Sequence, residues 1–107
     1  MLIEHGVPVA LASDVNPGGG FSPSMPFAMT LACFGMGMTL EEAIIASTIN
    51  AAYAIDRQDT VGSLEPGKLM DAVIADGDPI DLIRVGAPIV RAVVKRGRVV
   101  WQRDRSA

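Results

Sequence analysis

The chain has 107 residues, nine Lys and Arg against twelve Asp and Glu for a net charge of −3, and half of its residues are apolar. That length suits one ordinary domain, the apolar and charged balance excludes a disordered chain, and the acidic charge gives nucleic acid no footing. One cysteine, Cys33, and one histidine, His5, exclude an internal disulfide and a Cys/His metal cage built from this chain alone.

Taken in order, Val7 to Ser13 (VPVALAS) is a short apolar run entered through Gly6 and left at Asp14. With no charged face it predicts a buried strand over 7–13. The stretch from Asp14 to Ser24 (DVNPGGGFSPS) predicts a loop, because prolines fix φ and consecutive glycines tolerate positive φ. Ser22 before Pro23 suits an N-cap and first helical position, and Met25, Met29, Ala32 and Cys33 recur at helical spacing, giving a helix over 23–35. Thr39-Leu-Glu-Glu42 is a capping box and opens a second helix over 39–55. Its inward face includes Leu40, Ala43, Ile44, Ala51 and Ile55. Ser47 and Thr48 share that face and are expected to bond back to the preceding turn without breaking it.

Val61 to Leu64 predicts a strand running into Glu65-Pro66-Gly67-Lys68, whose central pair is the type II turn pattern. Further strands are expected over 71–76, 88–95 and 98–102, the last two joined as a hairpin around Lys95-Arg96-Gly97. The basic residues there, Arg103 and Arg105 included, read as a solvated edge that blunts aggregation. The longest mostly apolar run, 27–55, is interrupted by Gly35, Gly37, Glu41 and Glu42, so no membrane span is expected. The amino terminus shows no basic stretch followed by an apolar one, and a cytoplasmic setting is the expectation. A strand buried on both faces needs neighbours on both sides, and the later strands are of a different, alternating kind. The order of elements looks cut from something larger.

Asp14 stands at the carboxyl end of the first predicted strand, where α/β architectures place ligand-binding and catalytic groups. The same residue types also start turns, since Asx side chains bond their own backbone two residues on, so spacing leaves Asp14 and Asn16 open to either role. Gly18, Gly19 and Gly20 can bring backbone N–H groups to an anion, but neither phosphate-loop spacing is present. His5 lies roughly 30 Å from Asp14 along an extended chain at about 3.3 Å per residue and reads as a surface residue. Cys33 and the methionines between Met25 and Met38 read as packing.

Asp14-x-Asn-Pro-Gly18, Ser24-Met-Pro-Phe-Ala-Met-Thr-Leu-Ala-Cys33, Met38-Thr-Leu-Glu-Glu-Ala43, Thr48-Ile-Asn-Ala-Ala-Tyr-Ala-Ile55, Gly62-Ser-Leu-Glu-Pro-Gly-Lys68 and Asp71-Ala-Val-Ile74 together carry a resemblance. The chain resembles the carboxyl-terminal third of the imidazolonepropionase branch of the amidohydrolase superfamily, enzymes of histidine degradation. The Gly-x-Leu-x-x-Gly-x-x-x-Asp run is common to many amidohydrolases; Asp-x-Asn-Pro-Gly with Asn-Ala-Ala-Tyr-Ala points to this branch.

The resemblance implies an α/β fold, part of a metal-dependent (β/α)₈ barrel with strands of an adjoining small β-sandwich domain. Residues 1–57 would be the last barrel strand, its loop and helices, and 58–107 the sandwich strands. Asp14 would be the carboxylate ligand of one Zn or Fe ion and would take a proton from the attacking water. Asn16 and Gly18 match substrate-contacting positions, and Gly19 stands where the branch usually carries Ser or Thr beside the substrate. The reaction implied is hydrolytic opening of 4-imidazolone-5-propanoate to N-formimidoyl-L-glutamate. A small-molecule substrate and a homo-oligomer follow from it, with no nucleic-acid or membrane partner. A complete barrel needs roughly 200 residues or more, and the branch's His-x-His pair is absent. The chain is therefore expected to be a piece of a longer enzyme or a truncated frame, inactive and without tightly held metal by itself. Two other readings stand beside this one: an amidohydrolase of another cyclic amide, amidine or deaminated base, and a non-catalytic packing or partner-binding module.

Overall fold

A computed structural model describes residues 5–12, 24–83 and 89–103. The first helix, α1, runs Met25–Gly35. Its N-cap is Ser24, not Ser22: the Ser24 hydroxyl accepts the Phe27 N–H at 3.3 Å, and Pro26, which has no N–H to satisfy, occupies the first turn. Ser22 is followed directly by Pro23 and Ser24 by Met25 and then Pro26; the Ser24 hydroxyl bonds an amide three residues on. Ser22 and Pro23 lie outside the described residues.

The capping box forms as read. Glu42 N–H donates to the Thr39 hydroxyl at 3.1 Å, and Thr39 N–H donates to the Glu42 carboxylate at 2.9 Å. The helix that it opens, however, is two helices, α2 over Leu40–Ser47 and α3 over Ile49–Ala54, separated at Thr48 with φ −116° and ψ −92°. Ser47 and Thr48 do bond back, to the Ala43 and Ile44 carbonyls at 2.8 and 2.7 Å. The helix breaks at Thr48 nonetheless, and the Ala46 carbonyl, which a continuous helix would pair with the Asn50 N–H, accepts from Leu11 N–H at 3.0 Å. The Leu11 donor is 35 residues upstream in the sequence, and no local pattern announces it.

The strand expected over 7–13 is absent among the described residues: 7–12 carry no ladder. A strand is defined by its neighbours, and this segment lies against helices. Leu11 reaches both small apolar clusters, one of Met29, Ala43 and Ile83, the other of Ala32, Met38 and Ala46. Ala43 is fully buried and Ala46 nearly so, which lets α1 and α2 approach closely. Ile83 comes from a single 3-10 turn, Pro79–Ile83, that local pattern did not reveal; its carbonyl accepts the Thr30 hydroxyl at 3.2 Å.

The strand expected over 61–64 is also not formed; those residues make bends with no partner strand. Gly62 has φ +99°, and a Cβ there would stand 2.7 Å from the Ala52 Cβ, so the chain passes α3 at a distance only glycine allows. The turn beyond it matches its reading: Gly67 has φ +92° and Lys68 N–H donates to the Glu65 carbonyl at 3.1 Å.

The remaining strands, β1 (Ala72–Ala75), β2 (Val90–Lys95) and β3 (Arg98–Gln102), form one antiparallel sheet in that order. Val73 faces Val93, and Val93 faces Trp101, with a register shift in each pairing. The β2–β3 hairpin turns on Arg96 and Gly97, both at positive φ, as a right-twisted two-residue hairpin requires. Ala92 and Val94 of β2 are buried, whereas all of β3 is exposed. An open groove of about 800 Å³ separates the sheet from α3, lined by Ile55, Val61, Leu64, Val73 and Val93 among others. Among the described residues no helix is long and apolar enough to cross a membrane.

Candidate functional site

Asp14, Asn16, Gly18 and Gly19 lie outside the described residues, as does Gly20. The structure does describe both approaches to them. On the upstream side, Asn50 Nδ2 donates to the Val9 carbonyl at 3.0 Å and Leu11 N–H to the Ala46 carbonyl at 3.0 Å, so α2 and α3 hold the segment that reaches Asp14 three residues after Leu11. On the downstream side, Ser24 caps α1 and Thr30 ties that helix to the 3-10 turn. Asn50 and Thr30 did not emerge from the sequence as positioning groups. The available signal for Asn50 was an amide inside an otherwise apolar helical stretch, Ile49-Asn-Ala-Ala52.

The residues of the Gly62-to-Asp71 run are brought together by structure rather than by chemistry. Gly62 permits the close pass by Ala52, and Gly67 permits the turn. Asp71 Oδ1 accepts the Arg96 N–H at 2.8 Å and the Met70 carbonyl accepts the Gly97 N–H at 2.9 Å, which ties the run to the hairpin turn. Lys68 donates to the Ser63 hydroxyl at 2.8 Å and pairs with Glu65 at 3.2 Å. Hydrogen bonds from Lys68 and then Ser63 hold the Glu65 carboxyl below its ordinary range. The ammonium is thus matched by its own carboxylate and offers no bare charge to a ligand.

His5 is exposed, as expected, at the far end of the segment from Asp14. Cys33 is half-buried against Met29 and Ala43, and burial, then the charges of Glu41 and Glu42, push its thiol pKa up, the opposite of what an activated cysteine needs. Among the described residues no three His, Cys, Asp or Glu side chains converge as metal ligands.

The family model described as "Amidohydrolase family" matches residues 1–100. Among curated proteins, the imidazolonepropionase of Porphyromonas gingivalis strain ATCC 33277 is 49% identical over 102 residues, 94% of this chain and 24% of that protein. That of Geobacillus kaustophilus is 52% identical over 101 residues, 92% of this chain and 24% of that protein. Among solved structures, an amidohydrolase from Thermotoga maritima superimposes with a TM-score of 0.76 at 29% identity, covering 95% of this chain and 25% of that one. The chain spans about a quarter of the length of the relatives it matches.

Proposed function

The chain belongs to the amidohydrolase family, and from that premise we propose that it is the part of an imidazolonepropionase that supplies a catalytic carboxylate and part of the substrate contacts for opening 4-imidazolone-5-propanoate. The observation that carries this reading is the identity of about half the residues to two imidazolonepropionases over more than nine-tenths of the chain. The Gly62-to-Asp71 run supports the amidohydrolase part of it, since Gly62 and Gly67 stand at positive φ and Asp71 accepts from the hairpin turn; the branch rests on Asp14-x-Asn-Pro-Gly18 and Asn50-Ala-Ala-Tyr-Ala54.

In this reading residues 1–57 belong to the barrel and 58–107 to the small sandwich domain. Asp14 accepts a proton from water as the water oxygen bonds to the ring carbon, and returns it to the ring nitrogen as the carbon–nitrogen bond breaks, giving N-formimidoyl-L-glutamate. Asn16, Gly18 and Gly19 line the substrate. The cofactor is one Zn or Fe ion, to which this chain contributes Asp14. The setting in this reading is cytoplasmic and the assembly a homo-oligomer; in the 107-residue chain alone, apolar side chains such as Phe34, 76% exposed, favour self-association.

Substituting these 107 residues for the corresponding quarter of the Geobacillus kaustophilus relative tests the proposal. The hybrid is expected to hydrolyse 4-imidazolone-5-propanoate, and Asp14→Asn to lower its turnover about 10²- to 10⁴-fold, the usual worth of a positioned acid–base group. The fold should persist, since the change is nearly isosteric. Full turnover in Asp14→Asn overturns the role of Asp14. A folded hybrid that opens another cyclic amide or amidine and leaves the imidazolone intact overturns the substrate.

A further inference from the structure

We infer that the interruption of the helix at Thr48 is a docking device, and that Asn50 is the positioning residue that sets the register of the segment leading to Asp14; the catalytic half of this inference rests on the function proposed above. Residues 7–12 have no strand beside them, and the two that are partly buried, Val9 and Leu11, need partners for their backbone polar groups. Both find them beside the break. The Ala46 carbonyl, released from its helical partner by the turn at Thr48, accepts Leu11 N–H at 3.0 Å, and the Asn50 amide, one residue into α3, donates to the Val9 carbonyl at 3.0 Å.

Val9 and Leu11 are two residues apart, so in an extended segment their N–H and C=O groups face the same edge. An acceptor and a donor offered to that edge reproduce two rungs of a ladder without a strand. In an uninterrupted helix the Ala46 carbonyl would also face the Asn50 N–H along the helix axis; at the break it turns to Leu11. A shift of the segment by one residue would turn both groups away from their partners and move Leu11 out of the two clusters it joins. Asn50 is the only member of the pair that a side-chain substitution removes, because the other is backbone.

Asn50→Asp keeps the shape and removes the donor; Asn50→Ala removes both. In the 107-residue chain, amide exchange at Leu11 is expected to speed up roughly two- to tenfold in each, the worth of one hydrogen bond. In Asn50→Asp alone, protection is expected to return as pH falls through about 4, where the introduced carboxyl regains an O–H to donate. A side chain that merely fills space gives no such pH dependence. In the hybrid enzyme, Asn50→Asp is expected to lower kcat about 10- to 100-fold, the cost of a small misplacement of a reacting group, with KM changed less than a general loss of fold would change it. Leu11 exchange equal to wild type in both variants overturns the clamp. Wild-type kcat in the hybrid carrying Asn50→Asp overturns the positioning role while the proposed function stands. An inactive wild-type hybrid overturns the proposed function and the positioning role with it, and the exchange measurement then decides the clamp alone.

Discussion

The helical region and the sheet are stabilised in opposite ways. Around α1 and α2, burial is achieved by small or flexible side chains, with Ala32 and Ala43 fully buried and Met29 and Met38 nearly so. Their partners arrive from far along the chain, Leu11 on one side and Ile83 on the other. The sheet has the reverse balance. Its strands are paired through two ladders, closed by a hairpin and tied to Asp71 and Met70, while Val73, Val99, Val100 and Trp101 remain about half exposed or more. One region is held by side-chain packing and the other by backbone hydrogen bonds, which is why their tolerance to substitution should differ.

The seam between them gives the largest expected effect. Gly62→Ala meets the Ala52 Cβ at 2.7 Å and the Ile49 Cα at 3.2 Å, at a φ of +99°. A left-handed penalty of about 1–2 kcal/mol adds to overpacking of about 1–3 kcal/mol, so a loss on the order of 2–5 kcal/mol is expected by denaturant unfolding. An Ala variant of wild-type stability would mean that α3 and the 58–71 segment are not in contact.

Next comes the direct comparison of the two regions. Met29→Ala empties a buried position shared with Ala43 and Ile83 and should cost about 2–3 kcal/mol, whereas Val99→Ala, at a residue 60% exposed, should stay within about 0.5 kcal/mol. Equal losses at the two positions would show that the sheet faces are covered in solution.

Smallest of the three, Gly97→Ala has open space around it but a φ of +79°, so only the backbone penalty remains, about 1 kcal/mol. Because the hairpin is local, that loss should appear in the β2–β3 amides by hydrogen exchange and leave the Met29 cluster protected. Simultaneous loss of protection in both regions would make them one cooperative unit.

These contrasts also explain what could be read in advance. The capping box, the Pro66-Gly67 turn and the β2–β3 hairpin depend on residues within a few positions of one another, and each stands where the pattern put it. The cap of α1 stands at Ser24 and not at Ser22, since two serines with prolines close behind offer the same local signal and the structure gives the bond to Phe27 from Ser24. Of the candidate site, Asp14, Asn16, Gly18 and Gly19 came from the sequence pattern and its family resemblance, while Asn50 came from the fold.

Sequence by itself determined the Pro66-Gly67 turn, the capping box at Thr39, the hairpin and the family, since these rest on backbone preferences and short-range bonds that a few consecutive residues specify. Only the tertiary structure decided that 7–12 and 61–64 run without strands, that a helix ends at Thr48, and that Ile83 completes the core. In each case the deciding partner is distant in the chain: a strand without a neighbour has no ladder, and at the helix break the Ala46 carbonyl accepts from Leu11, 35 residues upstream.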